Sequence, residues 1–402
     1  MNNTATSSKG KRTAKTKAEI KAEQAVARER DRAQKEIAAF GKERDRRPGA
    51  FSDDEIWWRR QYEWLKALGY LLRPRYAPDW VPSWEGSKRR VMDCEDSRRL
   101  RFGQVMDATR VADGLYVSLK MVKKSEHPHE VEIGQYFMSE NLSSDPKNYC
   151  VPFLDVLSVP DESDIQIIVM PLLLPFTNIS FDTFGEVVEC LRQLFEGLRF
   201  MHNNHVAHRD CMRMNIMMDA KDLYAEPYHP VILHMKRDFS GYVSHYTRTQ
   251  RPPKYYFIDF GLSRRYDASE ETPLEYPIFG GDKSVPEFQS NVDVPMNPFP
   301  TDIYYLGNVV REQFLNTKKG FEFLKPLIDD MIQDDPHKRP TMEAVVERFE
   351  SIRQQLSTWK LRSRVISKDE GLFMNLYRGI THWSRRIGFI VKRTPAIPRL
   401  RD

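Results

Sequence analysis

From about residue 91 the chain alternates apolar and polar positions with a period of two, and beyond residue 180 the period lengthens to that of a helix. Leu100 to Ala108, a turn at Asp113-Gly114 and Leu115 to Val122 predict a β-meander. Val131 to Met138 predicts a short helix, and Phe153 to Val159 and Ile165 to Met170 predict two further strands. Val188, Leu191, Leu194, Phe195, Leu198 and Met201 form one helical stripe that stops just before His208. Upstream, Ser52-Asp53-Asp54-Glu55 is a capping-box pattern opening a helix that carries Trp57, Trp64, Leu65 and Leu68. Pro74, Pro78 and Pro82, interleaved with Tyr76, Trp80 and Trp84, follow as an extended aromatic strap expected to pack on the next domain. The pattern divides the chain into a tail over 1–48, the aromatic helix and strap over 49–90, an α+β domain over 91–358 and a second tail over 359–402.

Composition changes this picture at the ends. The net charge of +5 resolves into +7 over residues 1–48, +8 over 360–402 and −10 between them. Basic tails on an acidic body read as contact arms for acidic partners or anionic lipid, or as solubilising ends. The cluster Lys9, Lys11, Arg12, Lys15 and Lys17 is a candidate nuclear-import signal, and residues 19–47 are helical by propensity without a stripe to bury. In the second tail, Leu372, Phe373, Leu376, Tyr377, Ile380, Trp383, Ile387 and Ile390 line one helical face beside Arg378, Arg385, Arg386, Lys392 and Arg393. Such a helix lies on an anionic membrane, binds a partner groove or folds back on the body. Four scattered cysteines without a C-x-x-C pair argue against a disulfide frame or zinc site. No apolar leader is evident and the longest apolar run is too short to span a bilayer, so a cytoplasmic or nuclear location is expected.

The chemistry is concentrated in three strings. His208-Arg209-Asp210-Cys211-Met212-Arg213-Met214-Asn215 fits H-R-D-x-x-x-x-N, Asp259-Phe260-Gly261 follows 44 positions after Asn215, and Lys120 ends the strand Val117-Ser118-Leu119-Lys120. Taken singly, Asp210 reads as a loop residue and Lys120 as a solvated strand end. Together, in this order, they make residues 95–355 resemble the eukaryotic protein kinase superfamily. The resemblance implies an α+β, two-lobed protein-kinase-like fold, with a small β-rich N-lobe over 91–171 and a larger helical C-lobe over 172–358. It implies Mg²⁺ and ATP as cofactors. Lys120 would hold the α/β-phosphates, kept in place by a helix carboxylate, for which Glu132 is preferred over Glu130. Asp259 and Asn215 would bind Mg²⁺, and Asp210 would orient or accept the proton of a protein hydroxyl. Gly103 and Val105 fall at the end of the glycine-rich loop, Met170 at the gatekeeper, and Pro171 and Leu173 at the adenine-facing hinge. By the same analogy Glu287 pairs with Arg339 to anchor the activation segment, and Asp302 holds the catalytic loop's backbone.

The departures are specific. Arg98 and Leu100 stand where the loop's first two glycines fall, which limits backbone approach to phosphate, although Arg98 or Arg99 can supply charge. Met212 replaces the catalytic-loop lysine of serine/threonine kinases, and Gly280 falls where those kinases carry its threonine partner. The 220–254 segment is an insertion, with Lys236, Arg237, Arg248, Arg251 and Lys254 among its aromatics, that either recognises a substrate or decorates the surface. Only 37 positions separate Asp302 from Arg339, so the usual substrate-docking region is shortened. An atypical protein kinase acting on a protein hydroxyl is the leading expectation. The alternatives are a pseudokinase scaffold and a small-molecule kinase. Nothing suggests a specific nucleic-acid partner.

Overall fold

Ser52 caps the helix Asp53–Arg60: its hydroxyl accepts from the Glu55 amide, and the Glu55 carboxylate accepts from the Ser52 amide. A computed structural model describes residues 49–270, 272–278, 281–290 and 294–400, so the 1–48 tail, its basic cluster and Gly280 lie outside the described residues. The helix face that packs inward carries Trp58 and Leu65 of the next helix, Tyr62–Ala67, while Leu68 is exposed.

The chain is α+β. Its main sheet has five antiparallel strands: β1 (Tyr70–Leu72), β2 (Val105–Arg110), β3 (Tyr116–Lys123), β4 (Asp155–Ser158) and β5 (Ile165–Pro171), in the order β1-β2-β3-β5-β4. The period of two assigns the two faces. Val117 and Leu119 point to the face covered by Trp58, Tyr62, Leu65 and Tyr76, making one apolar core. Ser118 and Lys120 point the other way, into a cleft. Of the strap's aromatic residues only Tyr76 enters this core, while Trp80 packs on Phe51 and Trp84 beside it. A fully buried Glu55–Arg75 ion pair (3.2 Å) and the Tyr76 hydroxyl, which donates to Glu55 at 2.9 Å, join the strap to the helix. Buried charges are tolerated only when paired in this way.

The larger core belongs to the helical half, built around the 20-residue helix Phe184–Asn203, whose inward stripe includes Val188, Leu191, Leu194, Phe195, Leu198 and Met201. Thr183 caps it by accepting from the Glu186 amide. Helices Pro298–Val310, Lys325–Met331 and Met342–Gln355 pack around the same core. Short strands Ile216–Met218 and Tyr255–Phe257 form a hairpin that carries the loops on either side of it to the cleft.

Candidate functional site

The functional side chains are carried by regular elements and by the loops that join them. Lys120 lies on β3, opposite Val105 of β2 and Ile168 of β5. Its ammonium pairs with Glu130 Oε1 and with Asp259 Oδ1 (2.8 Å), and its side chain is 12% exposed. The preference for Glu132 is corrected. Glu130, Ile133, Gly134 and Phe137 share the buried face of the helix Glu130–Phe137, whereas Glu132 is one residue off that face and two-thirds exposed, near His129. The i, i+3, i+4, i+7 pattern headed by Glu130 was the available signal.

Asp259 follows the strand Tyr255–Phe257 with φ of 66°, a left-handed conformation that an aspartate adopts at some cost, and accepts from the Gly261 amide. Phe260 anchors it from below, packed against Phe137, Phe153 and His208 at ring-centroid distances of 5.6, 6.2 and 5.8 Å. Burial pushes the Asp259 carboxyl up, but the Lys120 ammonium overrides this and holds it down to about 2. Lys120 is correspondingly raised: burial opposes its charge, and Asp259 and Glu130 restore it.

The 208–215 loop is held from beneath. Asp302, fully buried on the helix Pro298–Val310, accepts from the amides of His208 and Arg209, both at 2.7 Å. Those two bonds support the left-handed Arg209 (φ 65°). His208 is kept neutral by burial. Its Nδ1 accepts from the Asp210 amide, which leaves Nε2 to donate to the Ile258 carbonyl. Asn215 Nδ2 donates to both the main-chain oxygen and Oδ2 of Asp210, at 2.9 and 2.8 Å. With the nitrogen so engaged, the amide oxygen is the atom left to serve as a ligand. Asp210 Oδ1 is buried with no hydrogen-bond partner, and burial, then the Asp259 charge, push its carboxyl up to about 7. Gly281 (φ 60°) lies against that oxygen so closely that a Cβ there would come within 2.3 Å of it. Arg339 anchors the following segment, with both terminal nitrogens 2.7 Å from the Glu287 carboxylate in a fully buried fork.

Lys120, Asp259, Asn215, Val105, Met170, Pro171 and Leu173 line one cavity of about 450 Å³, with Ile258 and Val151. That size suits a small organic ligand. Gly103 does not join them. Its carbonyl accepts from Trp58 Nε1 (2.9 Å), and the space a Cβ would need is filled by the Asp54 carboxylate, so its open side faces the Asp53–Arg60 helix. Arg98 is also directed elsewhere, to the Met92 carbonyl and the Phe239 ring, and Arg101 lines the cleft instead. Arg213 lines it as well.

The segment that reads from sequence as either substrate-recognising or surface decoration supplies part of the wall. Pro230, Val231 and Leu233 of the 220–254 segment face the cavity. The segment is latched to the sheet: Arg237 and Arg73 both bind Asp107 (2.8 and 3.0 Å), His229 meets Glu95 (3.0 Å), and the Tyr228 hydroxyl donates to the Leu172 carbonyl (3.0 Å). The apolar run Pro230 to Leu233 is the available signal, but a run without a period does not say what it docks on.

Among the described residues, no cluster of three His, Cys, Asp or Glu side chains forms a closed metal site. The oxygens of Asp259 and Asn215 do fit a Mg²⁺ bound chiefly by phosphate and water, the usual manner for that ion.

No family model matches the chain. No curated protein matches it either.

Proposed function

We propose that this chain is a phosphotransferase of the protein-kinase type, two-lobed in architecture, transferring the γ-phosphoryl group of Mg·ATP to a protein hydroxyl, a serine or threonine. One observation carries the reading: the Lys120 ammonium, paired with Glu130, meets Asp259 in a single cleft that also holds Asn215 and borders Asp210. Phosphoryl transfer needs positioned positive charge around the phosphates and little covalent chemistry from the protein. Lys120 supplies fixed charge, and Met170, Pro171 and Leu173 offer an apolar and main-chain surface for a flat base. Asn215 and Asp259 would hold a Mg²⁺, which when bound neutralises charge on the phosphates. Asp210 holds an unpartnered oxygen where an acceptor hydroxyl is to donate its proton. For that hydroxyl to arrive, the backbone at Gly281 has to move aside.

A second reading, a pseudokinase scaffold with weak or no nucleotide binding, is favoured by the turned-away Gly103 and by the cover that Gly281 lays on Asp210. Transfer of labelled γ-phosphate to mixed protein acceptors separates the two. The first reading expects transfer that falls about 10²- to 10⁴-fold in Asp210→Asn, the range a positioned general base contributes. Nucleotide binding without transfer, or transfer unaffected by the substitution, removes the role assigned to Asp210.

A further inference from the structure

The helix Leu372–Val391 is attached to the body by the wrong face for a soluble protein. An amphipathic helix normally turns its apolar stripe inward. Here the buried residues are His382 and Arg386. His382 Nδ1 and the Arg385 guanidinium meet Asp182 (3.2 and 2.9 Å), and Arg386 stacks on Trp359 at 3.8 Å. Arg364, on the body, binds Asn375 from the same side. The other side is apolar and points outward: Leu372, Phe373, Leu376, Ile380, Trp383 and Ile387 are between 48% and 94% exposed. At 100° per residue, these six positions cover an arc of about 100°, on a rod of roughly 30 Å.

We infer that this face seats the protein on a bilayer containing anionic phospholipid, with the helix lying in the plane of the interface. Three observations select lipid over a protein groove or a second copy. The apolar arc is broad and convex, with bulky side chains along its whole length, which suits a fluid phase rather than a groove that reads a few anchors. Residues 371–400 contain six Lys+Arg and no Asp or Glu, so the charge is complementary to an anionic surface. Trp359 and Trp383, with rings 6.0 Å apart and both exposed, stand at the boundary between the polar and apolar sides, where indoles prefer to sit. Spanning is not the mode, since among the described residues no helix is long and apolar enough to cross a membrane. The polar contacts through Asp182 would then fix the body's orientation on the surface. The inference is independent of what the cleft binds.

Flotation of the full chain with phosphatidylcholine vesicles, and with the same vesicles carrying phosphatidylserine, tests it. The protein is expected to float with the anionic vesicles and to remain below with the neutral ones. Leu376→Glu/Ile380→Glu, at exposed positions where folding should be unaffected and an unchanged melt verifies it, is expected to cut partition at least tenfold. Lys392→Glu/Arg393→Glu is expected to cut it by more than fivefold, since each basic residue near such a surface contributes about that factor. Absence of flotation at low salt, or flotation equal in Leu376→Glu/Ile380→Glu, overturns the inference. So does concentration-dependent dimerisation that this variant abolishes, because the face would then belong to a second copy.

Discussion

Burial, then the charge of Asp259, push the Asp210 carboxyl up to about 7, against an ordinary value near 3.9. Between those values the folded chain keeps a proton that the unfolded chain has released, so stability falls as pH rises across that window. Asp210→Asn removes the ionisation. In metal-free buffer the variant should melt higher than wild type above about pH 7, by about 2 °C or more, and the gap should close toward about pH 4. A gap that does not change with pH would show that the carboxylate carries no such penalty. A second residue-scale comparison separates the two helix carboxylates. Glu130→Gln should weaken nucleotide binding by about tenfold, the effect of losing one charge-assisted contact to Lys120, and Glu132→Gln should leave it unchanged in titration calorimetry. Lys120, Asp210, Asn215 and Asp259 were legible because each lies in a short string with its own spacing. The Lys120 partner turns on helical phase: Glu130, and not Glu132, shares the face of Ile133, Gly134 and Phe137.

At the scale of elements, the second strand, the short helix and the stripe before His208 follow from period alone, and the structure has them as β3, Glu130–Phe137 and Phe184–Asn203; the first strand is shorter than Leu100 to Ala108, since residues 101–104 form a turn and β2 begins at Val105. What period could not give is how the irregular segments dock. Gly103 reads as a loop glycine by position, yet it is small because Asp54 and Trp58 press on it from a helix more than 40 residues upstream. The 220–254 segment reads as either a substrate-recognising or a surface loop, and neither reading says how it docks: Arg237 reaches the buried Asp107 and three of its apolar residues wall the cleft. Asp107→Asn leaves Arg73 and Arg237 facing each other without their shared carboxylate. It should destabilise the chain by about 3 kcal/mol in urea unfolding, as breaking a buried pair does. Hydrogen exchange across 228–243 should rise with it. A loss below roughly 0.5 kcal/mol would mean that the latch contributes nothing to holding the segment.

Over the whole molecule, one apolar core lies on the sheet's outer face, and the other runs from its inner face into the helical half, around the cleft. Lys120 comes from the sheet and Asp259, Asn215 and Asp210 from the helical half, so a bound triphosphate would tie the halves together. The segment latched through Asp107 ties the sheet to the helical half, which favours a preformed cleft over one assembled by the ligand. The most direct measurement is the melting temperature of the full chain with ATP, with and without Mg²⁺, in wild type and in Asp259→Asn. Binding to the folded state alone raises stability by RT ln(1 + [L]/Kd), about 2.7 kcal/mol at one hundred times Kd. The account predicts a rise in wild type that needs Mg²⁺ and is lost in Asp259→Asn. No rise at millimolar Mg·ATP, or an equal rise in the variant, would contradict it.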